Sequence, residues 1–229
     1  SPHTAQAGRT KNLELACKAI DGTILNPGDE FSFNKIVGER TAEKGYQKAI
    51  VYQTGGKSEA EEGGGVCQVS TAMYRLALLG GLEIAERSAA VYPVDYCEIG
   101  QEAAVSDQGL DLVLTNNTDA PLFLVVRVYA ENDGQTMEWQ LIGKENESRF
   151  SLVSEVETID APEEPVYVRD SEGRYATYAD ERIPVSEARP GYRATVSLVD
   201  ENGETVRVVS EDTYDATAQI VYVGVQQRN

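Results

Sequence analysis

Residues 63–79 read GGGVCQVSTAMYRLALL, three glycines that lead directly into an apolar segment with helical spacing. This spacing predicts a helix over residues 67–79 that ends at the glycine pair 80–81. Four apolar positions of the segment are expected to face a core: Val66, Met73, Leu76 and Leu79. The glycine loop and its helix therefore organise the first half of the chain.

Cys67 falls in the first turn of this predicted helix, and two interpretations follow. Unpaired backbone N–H groups and the helix dipole favour a thiolate there, which would make Cys67 a nucleophile. Alternatively, Cys67 is a small buried residue that packs the helix onto a sheet. A nucleophile needs a base, and the single histidine of the chain is His3. A Cys67–His3 pair would require the N-terminal segment to fold back over the glycine loop.

The carboxylates closest to Cys67 in sequence are expected in a solvated loop, and they would raise the pKa of the thiol if they lay beside it. They are Glu59, Glu61 and Glu62.

Composition excludes several classes of function. The chain has 229 residues, of which 41% are hydrophobic, and a net charge of −18 that is spread over both halves. This charge repels nucleic acid and anionic membrane surfaces. Three widely spaced cysteines and one histidine predict neither a disulfide scaffold nor a metal site, although one bridge plus a free thiol stays open. No cofactor is expected. The chain as given is expected to be soluble, and an export segment upstream of it is compatible with the sequence.

The first 147 residues are predicted to form one α+β domain. Residues 9–20 carry a helical stripe, in which Cys17 is expected in the core. Strands are predicted at 30–34 and 50–53, a loop at 55–65, and a meander of hairpins over 110–114, 122–129 and 137–142, with turns at 116–119 and 131–134. The fold class is thus α+β, with N-terminal helices packed on a mostly antiparallel sheet.

Residues 148–229 are predicted to form a separate, small all-β module. The polar run 144–148 indicates the boundary, and no helical pattern follows it. Strand-like runs lie at 150–159, 164–169, 192–199, 204–210 and 220–223, with a hairpin turn at 200–203. Small modules of this kind more often bind a ligand or act as a spacer than catalyse a reaction.

Long motifs in residues 9–130 resemble the VanW family. They are RTKNL at 9–13, PGDEFSFN at 27–34, VGERT at 37–41, GY at 45–46, GGGVCQVSTAMYRLAL at 63–78, IAER at 84–87, DL at 111–112 and TNNT at 115–118. The tail resembles a G5 module through PGYR at 190–193, NG at 202–203, SEDTY at 210–214 and VYVG at 221–224.

The resemblance implies a location more than a reaction. VanW-like proteins are found in Gram-positive bacteria, are typically exported or membrane-anchored, and are named after an accessory product of vancomycin-resistance gene clusters. G5 modules occur in cell-wall proteins and have been proposed to bind polymers that contain N-acetylglucosamine. An extracellular or cell-surface protein of the cell wall is therefore expected.

The sequence departs from the family pattern where a histidine is usual. Residues 88–94 read SAAVYPV, without the histidine that follows the Glu-Arg pair in relatives, and Glu102 stands where aspartate is usual. A cysteine at a helix start, followed by a histidine and an acid, is the order of papain-like and transglutaminase-like enzymes. Loss of the base removes general acid–base catalysis, so we lean away from an enzyme.

Two hypotheses follow from this pattern. In the first, the protein binds peptidoglycan or another cell-wall glycan in a cleft at the glycine loop, and the G5-like module adds avidity for glycan. The ligand-binding residues would be Gly63, Gly64, Gly65, Gln68, Tyr92, Tyr96 and Glu102. In the second, Cys67 is the catalytic residue of an amidase or transferase that acts on wall peptides, with His3 or an atypical base.

Overall fold

The computed structural model describes residues 2–52, 58–131, 134–144 and 149–228. Three α-helices form in the first part of the chain: α1 spans Pro2–Ile20, α2 spans Phe33–Val37 and α3 spans Cys67–Leu79. A short 3-10 helix covers Ala42–Lys44. None of the helices described is long and apolar enough to span a membrane.

Eight strands follow or separate these helices up to residue 142. They are β1 Ile24–Leu25, β2 Glu30–Ser32, β3 Lys48–Tyr52, β4 Ser58–Glu62, β5 Glu83–Glu86, β6 Val113–Thr115, β7 Leu122–Glu131 and β8 Gly134–Ile142. They form one sheet in the order β1-β7-β8, a second in the order β2-β6-β5 and the two-stranded ribbon β3-β4. Every pairing in these sheets is antiparallel.

Six further strands follow in the described residues after 148. They are β9 Ser151–Ile159, β10 Val166–Asp170, β11 Arg182–Ser186, β12 Gly191–Val199, β13 Thr205–Tyr214 and β14 Ile220–Gly224. They form two sheets, in the orders β13-β12-β9 and β10-β14-β11, and β10 pairs with β14 in parallel. By contacts the chain divides into two compact units, residues 1–154 with 195–210, and residues 155–194 with 211–229.

The fold class is α+β, as predicted, and within the described residues the helices lie before residue 80 and the elements after it are strands. Helix α3 has the predicted bounds, and Cys17 lies in the core, where burial raises the pKa of its thiol to about 12. The hairpin turn predicted at 200–203 joins β12 to β13. The domain boundary predicted after residue 147 falls within residues 145–148, outside the described part, and stays a prediction.

Several predicted elements were wrong in detail. The strand predicted at 30–34 ends at Ser32, because the Ser32 hydroxyl accepts the Lys35 N–H and caps α2. Strand β4 lies within the predicted loop 55–65, where its acidic run pairs residue for residue with β3. The predicted meander holds only for β7 and β8, since β6 pairs with β2 and β5 instead. The centre of the predicted turn 131–134 lies outside the described residues.

Leu79 was also placed wrongly, because it is exposed at the end of α3, whereas Val66 and Met73 are buried as predicted and Leu76 is partly buried. The core of the first unit joins the buried side of α1 to that of α3. Its members include Leu13, Ala16, Cys17, Ile20, Val69, Met73, Tyr74, Ala77 and Leu78. Burial of these apolar side chains is the main stabilising contribution to the first unit.

Asn12 is a buried polar residue in the middle of this apolar packing, with no exposed surface. Its Nδ2 donates to the carbonyl oxygens of Gln47, at 2.8 Å, and Gly64, at 3.0 Å. Its Oδ1 accepts the Gln47 N–H at 2.8 Å. One amide side chain therefore joins α1 to the residue that precedes β3 and to the glycine loop.

We expect Asn12→Ala to lower the free energy of unfolding by at least about 2 kcal/mol, because it removes the partner of the buried Gly64 carbonyl and that of the Gln47 N–H. Urea denaturation measures the change. Asn117→Ala is the matched control, since Asn117 is exposed and its side chain makes a single long hydrogen bond of 3.4 Å; its effect should stay within about 0.5 kcal/mol. Equal effects of the two substitutions would contradict the role given to Asn12.

Candidate functional site

The glycine loop turns the chain directly into α3. Gly63 and Gly65 have φ angles of 78° and 98°, which glycine adopts without the steric cost that a side chain would bring. The Val66 N–H donates to the Gly63 carbonyl at 3.1 Å, and the Gln68 N–H donates to the Gly65 carbonyl at 3.0 Å. Some of the N–H groups at the start of α3 are therefore already paired within the loop.

The three glycines are packed against the protein. A Cβ atom on Gly64 would lie 2.4 Å from the Ala49 carbonyl oxygen, and one on Gly65 would lie 2.7 Å from the Arg9 Cγ. A Cβ atom on Gly63 would lie 2.6 Å from the Arg40 Cβ. The absence of side chains in this loop thus serves the close approach of α1, β3 and Arg40.

The first turns of α3 bind the segment 103–105 through side chains. The Cys67 Sγ donates to the Val105 carbonyl at 3.4 Å, and the Ser70 hydroxyl donates to the Ala103 carbonyl at 2.6 Å. The Ala103 N–H donates to the Thr71 Oγ1 at 3.0 Å. Cys67 therefore belongs to a row of side chains that pair the backbone of a neighbouring segment.

Burial raises the pKa of the Cys67 thiol above its ordinary value. The Val105 hydrogen bond and the positive charges of Arg40 and Arg9 act in the opposite direction, and burial outweighs them. The helix start at Cys67 is thus not enough to favour the thiolate.

Arg9, on α1, lies beside Cys67 and joins two of the predicted binding residues. Its Nη2 donates to the Gln68 Oε1 at 2.8 Å, and its guanidinium carbon lies 6.0 Å from the centre of the Tyr96 ring. The Tyr96 hydroxyl is in hydrogen-bond contact with the Thr71 side chain, and burial raises its pKa. Gln68, Tyr96 and Cys67 are therefore brought together around Arg9.

Glu102 lies in a different environment, with only 1% of its side chain exposed. Its Oε1 is 3.6 Å from the Arg87 Nη2 and accepts the Ala90 N–H, and its Oε2 accepts the Gly100 N–H at 3.1 Å. The Arg87 guanidinium also lies 5.4 Å from the centre of the Tyr74 ring. The buried Glu102 carboxylate thus joins the two ends of the segment 88–101 by hydrogen bonds to Ala90 and Gly100.

The remaining candidates have separate places. Tyr92 is half-buried in that same segment, between residues 88 and 101. His3 lies in α1, but its side chain is outside the described part of the structure, so the Cys67–His3 pair stays a prediction. Glu61 and Glu62 are exposed on β4 rather than in a loop, whereas the side chain of Glu59 lies outside the described residues. Among the described residues, no group of three or more His, Cys, Asp or Glu side chains could hold a metal ion.

Two arginines at this site were not among the predicted site residues. Arg9 and Arg40 both lower the pKa of Cys67, and both lie in motifs that resemble the VanW family. Arg40 is buried and held by Asp107, whose Oδ1 lies 2.9 Å from its Nε. Their positions in those motifs were a signal, but only the fold brings residues 9, 40 and 67 together.

We expect iodoacetamide to alkylate Cys67 in the folded protein with an apparent pKa above that of free cysteine, about 8.5. Because burial raises the pKa, the thiolate and its reactivity emerge only at more alkaline pH. Mass spectrometry of the Cys67 peptide across pH measures this, and the same peptide in urea supplies the unperturbed reference. In Arg9→Ala the apparent pKa should rise further. An apparent pKa below that of free cysteine would contradict the conclusion that burial outweighs the Val105 hydrogen bond and the charges of Arg40 and Arg9.

Known proteins resemble the chain over this region. The family described as "VanW like protein" matches residues 8–140. Uncharacterized protein YoaR of Bacillus subtilis (strain 168) is 35% identical over 127 residues, which cover 56% of this chain and 42% of that protein. Vancomycin B-type resistance protein VanW of Enterococcus faecalis (strain ATCC 700802 / V583) is 27% identical over 187 residues, which cover 79% of this chain and 63% of that protein.

A solved structure, the crystal structure of HP0197-G5, aligns over 34% of this chain and 100% of its own, with 16% identity and a TM-score of 0.17. The chain spans 42% and 63% of the lengths of the two curated relatives, so the activity of such whole proteins does not transfer with the match. The family match covers more than half of the chain and contains the glycine loop, Cys67 and Arg9. The protein belongs to the VanW family.

Proposed function

We propose that this protein acts at the bacterial cell surface, where it binds a peptidoglycan component through Arg9, Gln68 and Tyr96. We call these three residues the Arg9 surface. One relative is named a vancomycin B-type resistance protein, and this supports a role connected with the cell envelope and its response to vancomycin. The net charge of −18 disfavours nucleic acid as an alternative partner.

The arrangement of the Arg9 guanidinium carries this proposal. One Nη donates to Gln68 at 2.8 Å and the plane lies near the Tyr96 ring, so the side chain is held in place. Among the described residues Arg9 has no carboxylate partner, although the chain contains 38 Asp and Glu residues. A positioned guanidinium with remaining N–H donors suits a bidentate carboxylate.

Peptidoglycan offers this chemistry, because its peptides carry carboxylates and its sugars present flat faces to an aromatic ring. Arg9, Gln68, Tyr96 and Cys67 are each partly exposed, so a ligand reaches their edges. Glu102, by contrast, is enclosed by its bonds to Arg87, Ala90 and Gly100 and is left out of the proposed surface.

A cysteine-dependent amidase or transferase has weaker support. Burial raises the pKa of Cys67, and its thiol donates to the Val105 carbonyl. Removal of the general base typically costs about 10²- to 10⁴-fold in rate. The binding function does not need an ionised Cys67, whereas the amidase or transferase does. The reactivity of the Cys67 thiol therefore distinguishes the two functions.

Co-sedimentation with purified Gram-positive peptidoglycan tests the proposal. We expect Arg9→Ala to weaken binding about tenfold or more, since a hydrogen-bonded charge pair contributes roughly 1.5–3 kcal/mol. Lys11→Ala is the matched control, because Lys11 lies on the same helix, carries the same charge and is exposed beside Glu14. It should bind as the unmodified protein does.

Two results would contradict the proposal. The first is that the unmodified protein does not sediment with peptidoglycan. The second is that Arg9→Ala and Lys11→Ala bind equally well. The unmodified protein and Cys67→Ser together separate the alternative function. No peptide release or transfer by the unmodified protein, with binding that persists in Cys67→Ser, agrees with the proposal. An activity that the unmodified protein has and Cys67→Ser loses would favour the amidase or transferase.

A further inference from the structure

The sheet β10-β14-β11 presents a row of side chains in which two arginines flank a valine. Arg169 of β10 lies opposite Val223 of β14, and Val223 lies opposite Arg182 of β11. Directly opposed residues of neighbouring strands point to the same face of a sheet. Since neighbouring strands lie about 4.8 Å apart, the two arginines start about 10 Å from each other, one on each outer strand.

Tyr167 lies on the same face, two residues before Arg169 on β10. Its side chain is well exposed, at 59% for the residue, and the Arg182 guanidinium carbon reaches across β14 to within 6.0 Å of the centre of its ring. Both arginines and the tyrosine therefore converge on one part of the sheet.

A groove of about 440 Å³ lies at this place, lined by Tyr167, Val168, Arg169, Arg182 and Val223. Its size falls in the range of small-ligand sites, which is about 300–1,000 Å³. Two valines, one tyrosine and two arginines thus form its lining. Such a lining suits a ligand with a flat apolar face and negative charge at its edge.

In the second compact unit, residues 155–194 with 211–229, ion pairing distinguishes Arg169 and Arg182 from other arginines. Arg174, Arg193 and Arg228 each pair with a carboxylate, of Glu172, Glu157 and Asp180 respectively. The Arg169 side chain has no hydrogen bond or ion pair with any described residue, and the Arg182 side chain makes only a 3.4 Å bond to the Ala179 carbonyl besides its approach to Tyr167. In an acidic chain, these two positive charges stay available on one face.

We infer that the groove of Tyr167, Arg169 and Arg182 binds an acidic polysaccharide, one whose sugar rings carry carboxylates. A sugar ring would stack on the exposed part of Tyr167, and its carboxylate would accept N–H bonds from the arginines. The net charge of −18 does not prevent this, because at physiological salt exposed charges are screened beyond about 8 Å. This site is separate from the Arg9 surface and takes a different ligand.

Isothermal titration of the whole chain with an oligomer of galacturonic acid tests the inference. The matched ligand is the methyl ester of the same oligomer, which keeps the rings and loses the charge. We expect the acid form to bind at least about tenfold more tightly than the ester. Arg169→Ala and Arg182→Ala should each weaken binding about tenfold or more, and Tyr167→Ala about fivefold to tenfold.

Arg174→Ala is the control variant, because it removes the same charge from the same unit and should leave affinity unchanged. Circular dichroism checks that each variant is folded, and Arg169→Lys keeps the charge without the planar fork, so partial binding is expected. Equal binding of acid and ester, no binding of either, or no effect of the Arg169 and Arg182 substitutions would overturn the inference. Equal binding of a poly-aspartate peptide would overturn its assignment to a polysaccharide.

The outcome is distinguishable from that of the proposed function. Arg9→Ala should bind the galacturonate oligomer as tightly as the unmodified protein. Arg169→Ala should sediment with peptidoglycan as the unmodified protein does, and this sedimentation should be lost only when Arg9 is replaced as well. A failure at one surface therefore leaves the result at the other intact.

Discussion

The amide of Asn12 joins the parts of the molecule on which the candidate site depends. It is completely buried and binds both backbone groups of Gln47 and the carbonyl of Gly64. Arg9 lies one turn earlier on the same helix, and Cys67 follows Gly64 by three residues. Because an unmade hydrogen bond in the core is costly, α1 and the start of α3 keep one relative position. The close approach of α1 to Gly65 depends on that position.

Five arginines of this acidic chain fall into two groups with different roles. Arg40 and Arg87 are held by Asp107 and Glu102, and both pairs secure segments that are distant in sequence. Arg9, Arg169 and Arg182 have no carboxylate partner among the described residues, and each lies beside a tyrosine ring or a groove. The first group therefore forms ion pairs within the protein, whereas the guanidinium groups of the second are suited to bind carboxylates of a ligand.

Local signals explain what sequence reasoning predicted well. Helix α3 was predicted with its observed bounds, since its glycines, apolar spacing and terminal glycine pair all lie within residues 63–81. Strand β4 was missed because its acidic run looks like a solvated loop until β3 pairs with it. Strand β11 was missed because it contains Pro184, which is tolerated there since β11 is an edge strand. In both cases pairing with another strand decided the element: β3 directly precedes β4 in the chain, whereas β14 follows β11 only after β12 and β13.

The sequence by itself determined the family, the α+β class and the position of Cys67 at a helix start, because these depend on residues that are neighbours along the chain. The tertiary structure alone decided which surroundings shift the pKa of that cysteine. The carbonyl of Val105, 38 residues away, accepts a hydrogen bond from the Cys67 thiol. Burial raises the pKa of this thiol more than Arg9 and Arg40 lower it. Likewise Glu102 is enclosed by Arg87, 15 residues earlier. Burial and electrostatic balance depend on contacts that no local pattern contains.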